Sequence, residues 1–341
     1  MTPRIVLLHD GASPASRPGT GRFVKMPLFA RGLPRGGAIA TGFLLLTFLA
    51  GCSTVSTATS PVSPAAPAAP ASPASPASRF GHVHGVGFDE TTDAVYIATH
   101  TGLYTVSGSL NSPKDSGSLG GPIAGLRQDN MGFVIDGERM YASGHPDPTV
   151  SSDANLGLIS STDQGKSWKA ISLKGTTDFH DLEISHAGQG AATIYGFDSA
   201  DAVVRVSRDG GSTWTSGSAL AMRDMAADRA LPGTIYATTS DGLKVSRDYA
   251  ASFELSPGAP ALYLIAAAGS TAEPQLVGID AAGVVWKKSG NTPWRATGAV
   301  TGTADALALT VGAISTLLVA DQRGIVTSSD YGATWRVLVT N

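Results

Sequence analysis

"STDQGKSW", Ser161–Trp168, is the stretch that decides the fold, because versions of it recur along the chain. It returns as "SRDGGSTW" at Ser207–Trp214 and as "SSDYGATW" at Ser328–Trp335. Weaker copies are "SRDYAASF", Ser246–Phe253, which keeps Ser and Asp, and "KKSGNTPW", Lys287–Trp294, which has lost the Asp. The aromatic residues that close the five copies are 46, 39, 41 and 41 residues apart. A motif that decays while its spacing holds indicates a repeated structural unit of about forty residues.

Each period consists of short apolar runs rich in β-branched residues, separated by Gly, Asp and Ser turns. One period holds "TIYATTS", "GLKVS" and "SFELS", and another holds "TLLVADQ", "GIVTSS" and "TWRVLV". These runs have the length and composition of strands, and no segment shows a helical period long enough to compete. Four short antiparallel strands in every period make a β-propeller blade. The sequence therefore predicts an all-β, six-bladed propeller over residues 80–341. Seven blades is the alternative, because residues 106–126 are poorly patterned and leave room for another strand pair.

The pattern S-x-D-x-G-x-[ST]-W resembles the Asp box of bacterial neuraminidase-type (BNR) repeats. Sialidases, sortilin-type receptors and photosystem assembly-factor propellers share that box. The segments "GHVHGVGF", "ATHTGLY", "ASGHP", "DFHDLE" and "YGFD" are similar to a family of exported bacterial propellers that carry a glycosyl hydrolase label by repeat similarity. The resemblance implies that each motif forms the hairpin between the third and fourth strands of a blade. It also places these hairpins on the rim away from the ligand-binding face.

The residue types of the motif suit a structural turn. An Asp carboxylate accepts backbone N–H bonds across a loop, Gly adopts positive φ, and Trp packs between neighbouring blades. We therefore interpret the motif as structural rather than catalytic. The residues assigned to it are Ser161, Asp163, Gly165, Trp168, Ser207, Asp209, Gly211, Trp214, Ser246, Asp248, Phe253, Ser328, Asp330, Gly332 and Trp335.

Residues 1–51 have the pattern of an export signal. They contain six Lys or Arg, a single Asp and the apolar run "AIATGFLLLTFLA". This run is typical of a signal peptide and is shorter than a transmembrane helix requires. The run ends in "LAGC", Leu49–Cys52, which resembles the bacterial lipoprotein box, and this resemblance implies a lipidated Cys52. No other cysteine occurs in the chain, so an internal disulfide is excluded. An ordinary signal peptide with a chance cysteine is the alternative, and Met26 is an alternative start.

Residues 52–79 follow as a linker rich in Pro, Ala and Ser, a composition that cannot bury a core and predicts a disordered tether. Beyond Cys52 the chain has 18 basic and 26 acidic residues, a net charge of −8. This balance argues against a nucleic-acid partner. We expect a monomer in the bacterial cell envelope, extracytoplasmic and anchored to the membrane through Cys52.

The sequence gives little support for a sialidase active site. Sialidases use a Tyr and Glu nucleophile pair, an Asp acid and three arginines, and they carry an Arg-Ile-Pro element that does not occur here. Arg208 and Arg247 lie inside the repeated motif. The propeller region has only five glutamates, at Glu90, Glu138, Glu183, Glu254 and Glu273. A glycoside hydrolase acting in the central pocket is kept as the alternative function, with no catalytic residue assigned.

Histidines fall at equivalent places in the repeat. His82 and His84 lead into the first strand of blade 1, and His180 leads into the first strand of blade 3. His100 and His145 end the second strands of blades 1 and 2. In a propeller, the loops before the first strand and after the second strand open on the same, upper face. We therefore expect at least three of these histidines to cluster near the central opening, on the face opposite the repeated motif.

Such a cluster favours a binding function. His82 and His84 stand two apart, so an extended backbone points both rings to one side. Imidazoles that converge with Asp147, Asp181 or Asp198 suit zinc or copper, or an anionic or sugar ligand. The alternative is that each histidine caps a loop by bonding a backbone carbonyl. Upper-face acids of the other blades are predicted to be simple turn residues: Asp224, Asp241, Asp280 and Asp321.

The sequence thus favours a binding, assembly or metal-handling module that uses a histidine-rich face. Its candidate metal ligands are His82, His84, His100, His145 and His180, and its candidate ligand-binding acids are Asp181 and Asp198. Neutral imidazoles bind a transition metal, and protonation below about pH 6 releases it.

Overall fold

The structure is a computed structural model that describes residues 80–107, 110, 117–186, 190–229, 231–269, 274–310 and 315–340. Within these ranges, 24 strands form six four-stranded sheets, and Ile123–Gly125 forms a short 3-10 turn. The predicted signal peptide, the lipidation site Cys52 and the linker lie outside the described residues. No helix in the described ranges has the length and apolar character needed to cross a membrane.

Blades 1 to 3 follow one another along the chain. The strands of blade 1 are β1 (Val83–Asp89), β2 (Ala94–Thr99), β3 (Gly102–Ser107) and β4 (Ser118–Gly120). Those of blade 2 are β5 (Asp129–Asp136), β6 (Arg139–His145), β7 (Leu158–Ser161) and β8 (Lys169–Ser172). Those of blade 3 are β9 (Phe179–Ser185), β10 (Thr193–Asp198), β11 (Val203–Ser207) and β12 (Thr215–Ala219).

Blades 4 to 6 repeat the arrangement. The strands of blade 4 are β13 (Asp224–Ala227), β14 (Ile235–Thr239), β15 (Gly242–Ser246) and β16 (Glu254–Leu255). Those of blade 5 are β17 (Leu262–Gly269), β18 (Pro274–Asp280), β19 (Val284–Ser289) and β20 (Arg295–Ala299). Those of blade 6 are β21 (Ala306–Thr310), β22 (Thr316–Asp321), β23 (Gly324–Ser328) and β24 (Arg336–Thr340).

Each blade is an antiparallel meander in which consecutive strands pair in chain order. The predicted all-β, six-bladed propeller is confirmed. The poorly patterned stretch 106–126, which had left seven blades open, supplies the outer strand β4 of blade 1 in its described part. There Val106 pairs with Leu119, and Ser107 pairs with Ser118.

The core lies between the blades. Because a propeller sheet is covered on both faces, its second strands read as continuous apolar runs, and every residue of β2 is buried. Six hydrophobic clusters each join two neighbouring blades. One of them packs Val86 and Ile97 of blade 1 against Leu318 and Ile325 of blade 6. The ring is therefore closed by side-chain packing between the first and last blades.

Strand direction defines two faces of the ring. In a four-stranded meander, the first strand begins and the second strand ends on the same side, here called the upper face. The third strand ends and the fourth begins on the opposite side, the lower face. The repeated Ser/Asp/Trp turns connect third to fourth strands, for example β7 to β8 and β11 to β12, so they lie on the lower face.

Hydrogen bonds inside each repeated turn explain its Ser and Asp. Ser161 Oγ donates to Asp163 Oδ1 at 2.7 Å and accepts the Gly165 backbone N–H at 2.9 Å. Asp163 also accepts the hydroxyl and the backbone N–H of Ser167, at 2.6 and 2.9 Å. These bonds, led by the Ser167 hydroxyl, lower the pKa of Asp163 to about 2. Gly165 has a φ of 79°, in the left-handed region that favours glycine.

The motif's Trp joins neighbouring blades. Trp214 of blade 3 donates its indole N–H to Ser172 Oγ of blade 2 at 2.9 Å, and its ring lies 4.8 Å from the Phe179 ring. Trp335 of blade 6 donates to the Ala299 carbonyl of blade 5 at 2.8 Å. Both contacts are internal, as a structural turn requires.

Candidate functional site

The five candidate histidines all sit at upper-face strand ends. His82 precedes β1 and His84 is its second residue, while His100 follows β2. His145 is the last residue of β6, and His180 is the second residue of β9. Blades 1, 2 and 3 are consecutive, so these positions lie along one side of the upper rim. The remaining histidine in the described ranges, His186, follows β9 at the lower face.

Three of these histidines form a compact group with an aspartate, which we call the histidine–aspartate cluster: His82, His84, His100 and Asp129. The imidazole centroids of His84 and His100 are 4.3 Å apart, and the His82 ring lies 4.8 Å from the first and 5.6 Å from the second. Asp129 opens β5 of blade 2 and faces both His84 and His100. The cluster therefore bridges two blades.

The polar side-chain atoms of His84, His100 and Asp129 lie close together. His84 Nε2 is 3.1 Å from His100 Nδ1, and His100 Nδ1 is 2.8 Å from Asp129 Oδ2. His84 Nε2 is also 3.2 Å from Asp129 Oδ1. The three potential ligand atoms lie within 4.8 Å of one another. Zinc bonds of about 2.0–2.1 Å at tetrahedral angles place ligand atoms about 3.3 Å apart. The 3.1 Å separation of the two imidazole nitrogens is thus close to that of two ligands on one metal ion, and each nitrogen faces a different oxygen of the Asp129 carboxylate.

Hydrogen bonds alone do not satisfy all the polar atoms of His84, His100 and Asp129. His100 Nδ1 faces both His84 Nε2 and Asp129 Oδ2, and a single proton on Nδ1 makes a linear hydrogen bond to only one of them. Asp129 Oδ1 is buried and has no hydrogen-bond partner, although His84 Nε2 is near. Buried polar atoms without partners are costly. A divalent cation between the three side chains would accept a lone pair from each of them, so the donor set fits zinc or copper.

Burial differs among the members of the cluster. The His84 side chain is 7% exposed and Asp129 is 19% exposed, whereas His100 is 48% exposed. Burial raises the pKa of Asp129, but its contacts with the imidazoles of His84 and His100 outweigh this effect, and the net pKa lies below its ordinary value. Burial and the charge of His84 lower the pKa of His82. Two ligands are thus held firmly, and the third faces solvent, where an ion can enter.

A cavity of about 330 Å³ opens beside the cluster at the upper mouth of the central channel. His82, His84 and His100 line it together with His180, Asp181, Arg223, Met131 and Met222. Imidazole suits both zinc and copper, and thioethers favour Cu(I). The mouth therefore presents nitrogen, oxygen and sulfur donors around one opening.

His145 and His180 form a separate group. His145 Nε2 is 3.2 Å from Asp178 Oδ2, and His180 Nε2 is 2.8 Å from the same oxygen. The hydrogen bond to Asp178 raises the pKa of His180. These two histidines therefore share Asp178, which precedes β9, and not Asp129.

The acids predicted to accompany the histidines have other hydrogen-bond partners. Asp198 pairs with Arg205 Nε at 2.7 Å and accepts the Ala200 backbone N–H. Asp147 accepts the hydroxyl and N–H of Thr149. Asp181 accepts the backbone N–H of Met225 at 2.8 Å and faces the channel. The structure does not bring any of the three into the histidine–aspartate cluster.

Asp129 and Asp178 are the acids that sequence reasoning missed. Neither belongs to a repeated motif, and each stands just before or at the start of a first strand, of blade 2 and of blade 3. That position is equivalent to the position of His82 and His84 in blade 1. An alignment of the blades by their first strands could therefore have identified Asp129 and Asp178 from the sequence.

Acidic side chains line the channel below the mouth, around a cavity of about 370 Å³. Asp181 and Glu183 of blade 3 accept backbone N–H groups of Met225 and Ala227 in blade 4. Asp224 of blade 4 accepts the backbone N–H of Ile265 in blade 5, at 2.6 Å. Asp224, predicted as a simple turn residue, instead links two inner strands. Of the other acids so predicted, Asp280 accepts the Ala282 and Val284 N–H groups, and Asp321 pairs with Arg323.

Burial is the main cause of the raised pKa values of the channel acids. Burial, followed by the charge of Asp181, raises the pKa of Glu183 to about 8. Burial raises the pKa of Asp181 to about 7, and the pKa of Asp224 is also raised well above its ordinary range. Each of these acids is therefore more protonated at neutral pH than an exposed carboxyl group.

The raised pKa of Glu183 predicts a pH-dependent stability. The unfolded chain loses this proton near its ordinary pKa of 4.5, whereas the folded chain holds it until about pH 8. The stabilisation is therefore complete below about pH 4.5 and is lost as pH rises towards 8. Glu183→Gln, which is neutral at every pH, should show a smaller loss of unfolding free energy between pH 5 and pH 8. Urea unfolding of both proteins at the two pH values measures this, and equal losses would contradict it.

No protein-family model and no curated protein sequence matches this chain. Solved structures do. A GH74 xyloglucanase from Xanthomonas campestris is 17% identical over 75% of this chain, with a TM-score of 0.46. A chain of the nidogen/laminin complex is 12% identical over 71% of this chain and 91% of its own length, with a TM-score of 0.52. YCF48 bound to D1 peptide is 12% identical over 75% of this chain and 80% of its own, with a TM-score of 0.42.

The chain spans 45% of the length of the xyloglucanase and 37% of an ancestral GH74 enzyme. At such identities, similarity shows the fold alone. The chemistry of this chain therefore has to be argued from its own side chains.

Proposed function

We propose that this chain is an extracytoplasmic, lipid-anchored β-propeller whose function is to bind a transition-metal ion, zinc or copper, at the histidine–aspartate cluster. The observation that carries the proposal is that His84 Nε2 and His100 Nδ1 lie 3.1 Å apart and both face the Asp129 carboxylate, at 3.2 Å from Oδ1 and 2.8 Å from Oδ2 respectively. Two neutral imidazoles and one carboxylate are three ligands, and three protein ligands leave a fourth position for water, His82 or a bound partner.

The burial of two of the proposed ligands supports the same site. Asp129 and His84 are largely buried, so their orientation is fixed before an ion binds. Because the ligands come from blades 1 and 2, an ion would also tie these blades together. Metal binding to the folded chain alone then stabilises the propeller by mass action.

Calorimetric titration with Zn²⁺ and with Cu²⁺ tests the proposal, using protein purified without an affinity tag. We expect saturable binding of at least one of the two ions, with a rise in melting temperature on binding. If neither ion produced heat or shifted the melting temperature, the cluster would be a hydrogen-bonded group only.

The Ser/Asp/Trp turns support membership of the Asp-box repeat family. Four turns share the Ser to Asp hydrogen bond, at Ser161, Ser207, Ser246 and Ser328. The weaker copy Ser246–Phe253 keeps this bond even though Ala250 replaces the Gly. The family's glycosyl hydrolase label belongs to the repeat, so it adds nothing to the choice between binding and catalysis.

Lipid anchoring rests on "LAGC", Leu49–Cys52, and on the absence of a second cysteine. Cys52→Ser should leave the propeller folded and release it from the membrane fraction, since the acylated thiol would be lost. Fractionation of cells that express each protein, with immunoblotting, measures this. Recovery of the variant in the same membrane pool would argue against the anchor.

A glycoside hydrolase is the second candidate, and the channel acids are the observation that favours it. Glu183 and Asp181 have the raised pKa of a general acid and line one cavity. However, each accepts a backbone N–H group of the neighbouring blade. Those bonds give the acids a structural role that needs no substrate. Hydrolysis of aryl glycosides that is lost in Glu183→Gln, with folding retained, would favour the enzyme.

A further inference from the structure

A second histidine–aspartate group lies beside the first on the upper face. It consists of His145 at the end of β6, Asp178 before β9 and His180 within β9. Its neighbour is the first cluster, because Asp129 and His145 are cross-strand partners on β5 and β6. The group therefore bridges blades 2 and 3 just as the first cluster bridges blades 1 and 2.

The tautomer of His145 is set by the backbone. Its Nδ1 lies 3.0 Å from the Ala154 carbonyl oxygen, which only accepts hydrogen bonds, so Nδ1 carries the proton. A neutral His145 then presents the lone pair of Nε2 to Asp178 Oδ2 at 3.2 Å. Two lone pairs that face each other repel unless a proton or a metal cation lies between them. An imidazole whose other nitrogen donates to a carbonyl is also the usual state of a metal ligand.

Asp178 is short of partners. Its Oδ2 is shared by both imidazoles, and its Oδ1 is buried without a hydrogen-bond partner. The Asp178 side chain is 13% exposed, whereas the rings of His145 and His180 are 46% and 38% exposed. The carboxylate and, through its bond to Ala154, the His145 ring are thus held in place, and the His180 ring has room to rotate towards an ion beside them.

We propose that His145, Asp178 and His180 form a second transition-metal site, separate from the first. Asp178 would supply one or both oxygens, and the rings would each supply Nε2. The three ligand atoms are less compact than those of the first cluster, whose ligand atoms all lie within 4.8 Å of one another. Ring rotation has to bring them together, so this site fills at higher metal concentration than the first. The inference does not depend on metal binding at His84, His100 and Asp129.

Zinc stoichiometry tests this second site. Equilibrium dialysis of the tag-free protein against Zn²⁺ should give two ions per wild-type chain. The double variant His145→Ala, His180→Ala should bind one ion, and so should Asp129→Ala. His186→Ala is the matched control, because His186 also pairs with an aspartate, Asp136 at 2.7 Å, but at the lower face and without a second histidine. It should keep both ions.

Asp178→Asn is a second variant, for the case that the double variant does not fold. It removes the charge of the side chain and keeps its volume. It too should bind one ion, and a wild-type melting temperature in the apo form would establish folding. Zinc stoichiometry that is unchanged in both Asp178→Asn and the double variant would overturn the proposal, because protons would then suffice at this group. One ion per wild-type chain that is lost in Asp178→Asn but kept in Asp129→Ala would instead support this site and overturn the first.

Discussion

Asp129→Ala is expected to lower the affinity for Zn²⁺ by at least about 100-fold. Loss of a residue that only supports a metal ligand commonly costs 10–100-fold in affinity, and Asp129 is proposed as a ligand itself. The substitution also removes the carboxylate that fixes the His100 ring through a 2.8 Å contact. Competition calorimetry against a chelator of known affinity measures the change.

Asp136→Ala is the matched control for this experiment. Asp136 ends the same strand β5 and also pairs with a histidine, His186, but at the lower face. Its loss removes the same charge from the chain and should leave zinc affinity within about threefold of wild type. Equal losses in both variants would mean that net charge, and not coordination, governs binding.

Trp214→Ala should cost on the order of 3 kcal/mol of unfolding free energy, in the range for truncated aromatic core residues. The indole packs against Phe179 and donates to Ser172 of the preceding blade, so its removal leaves a gap in the blade 2 to blade 3 interface. Denaturant unfolding measures the loss. Zinc affinity at the histidine–aspartate cluster should stay unchanged, because Trp214 contacts Phe179 and Ser172 rather than members of that cluster.

Trp214→Phe separates packing from hydrogen bonding at this position. It keeps most of the ring contact and loses the indole N–H, so it should cost less than Trp214→Ala. If Trp214→Ala kept wild-type stability and instead lost metal binding, the structural interpretation of the repeated turn would be wrong.

Local chemistry explains why the fold could be predicted from the sequence. Each repeated turn is held by bonds within seven residues, such as Ser161 to Asp163 and Asp163 to Ser167. The pattern therefore marks the turn wherever it occurs, and its spacing counts the blades. The sequence of blade 1 carries no copy of the motif, and its outer strand β4 has only three residues, which is why residues 106–126 left the blade count open.

The site was only partly predictable, because it depends on which blades are neighbours. Strand-end positions placed His84 and His100 on one face, and the fold brings them together. Asp129 belongs to no motif and differs from its neighbours only by its position in the repeat, since it faces histidines of another blade. Likewise, Glu183 has a raised pKa because neighbouring inner strands enclose it, and no sequence pattern reports that enclosure.

The most direct test of the central claim is an anomalous-difference map from crystals of the tag-free protein grown with zinc, measured on both sides of the zinc absorption edge. A zinc ion at the histidine–aspartate cluster should give a strong peak about 2.0–2.2 Å from His84 Nε2, His100 Nδ1 and an oxygen of Asp129. A fully loaded crystal with no peak between these three side chains would contradict the claim.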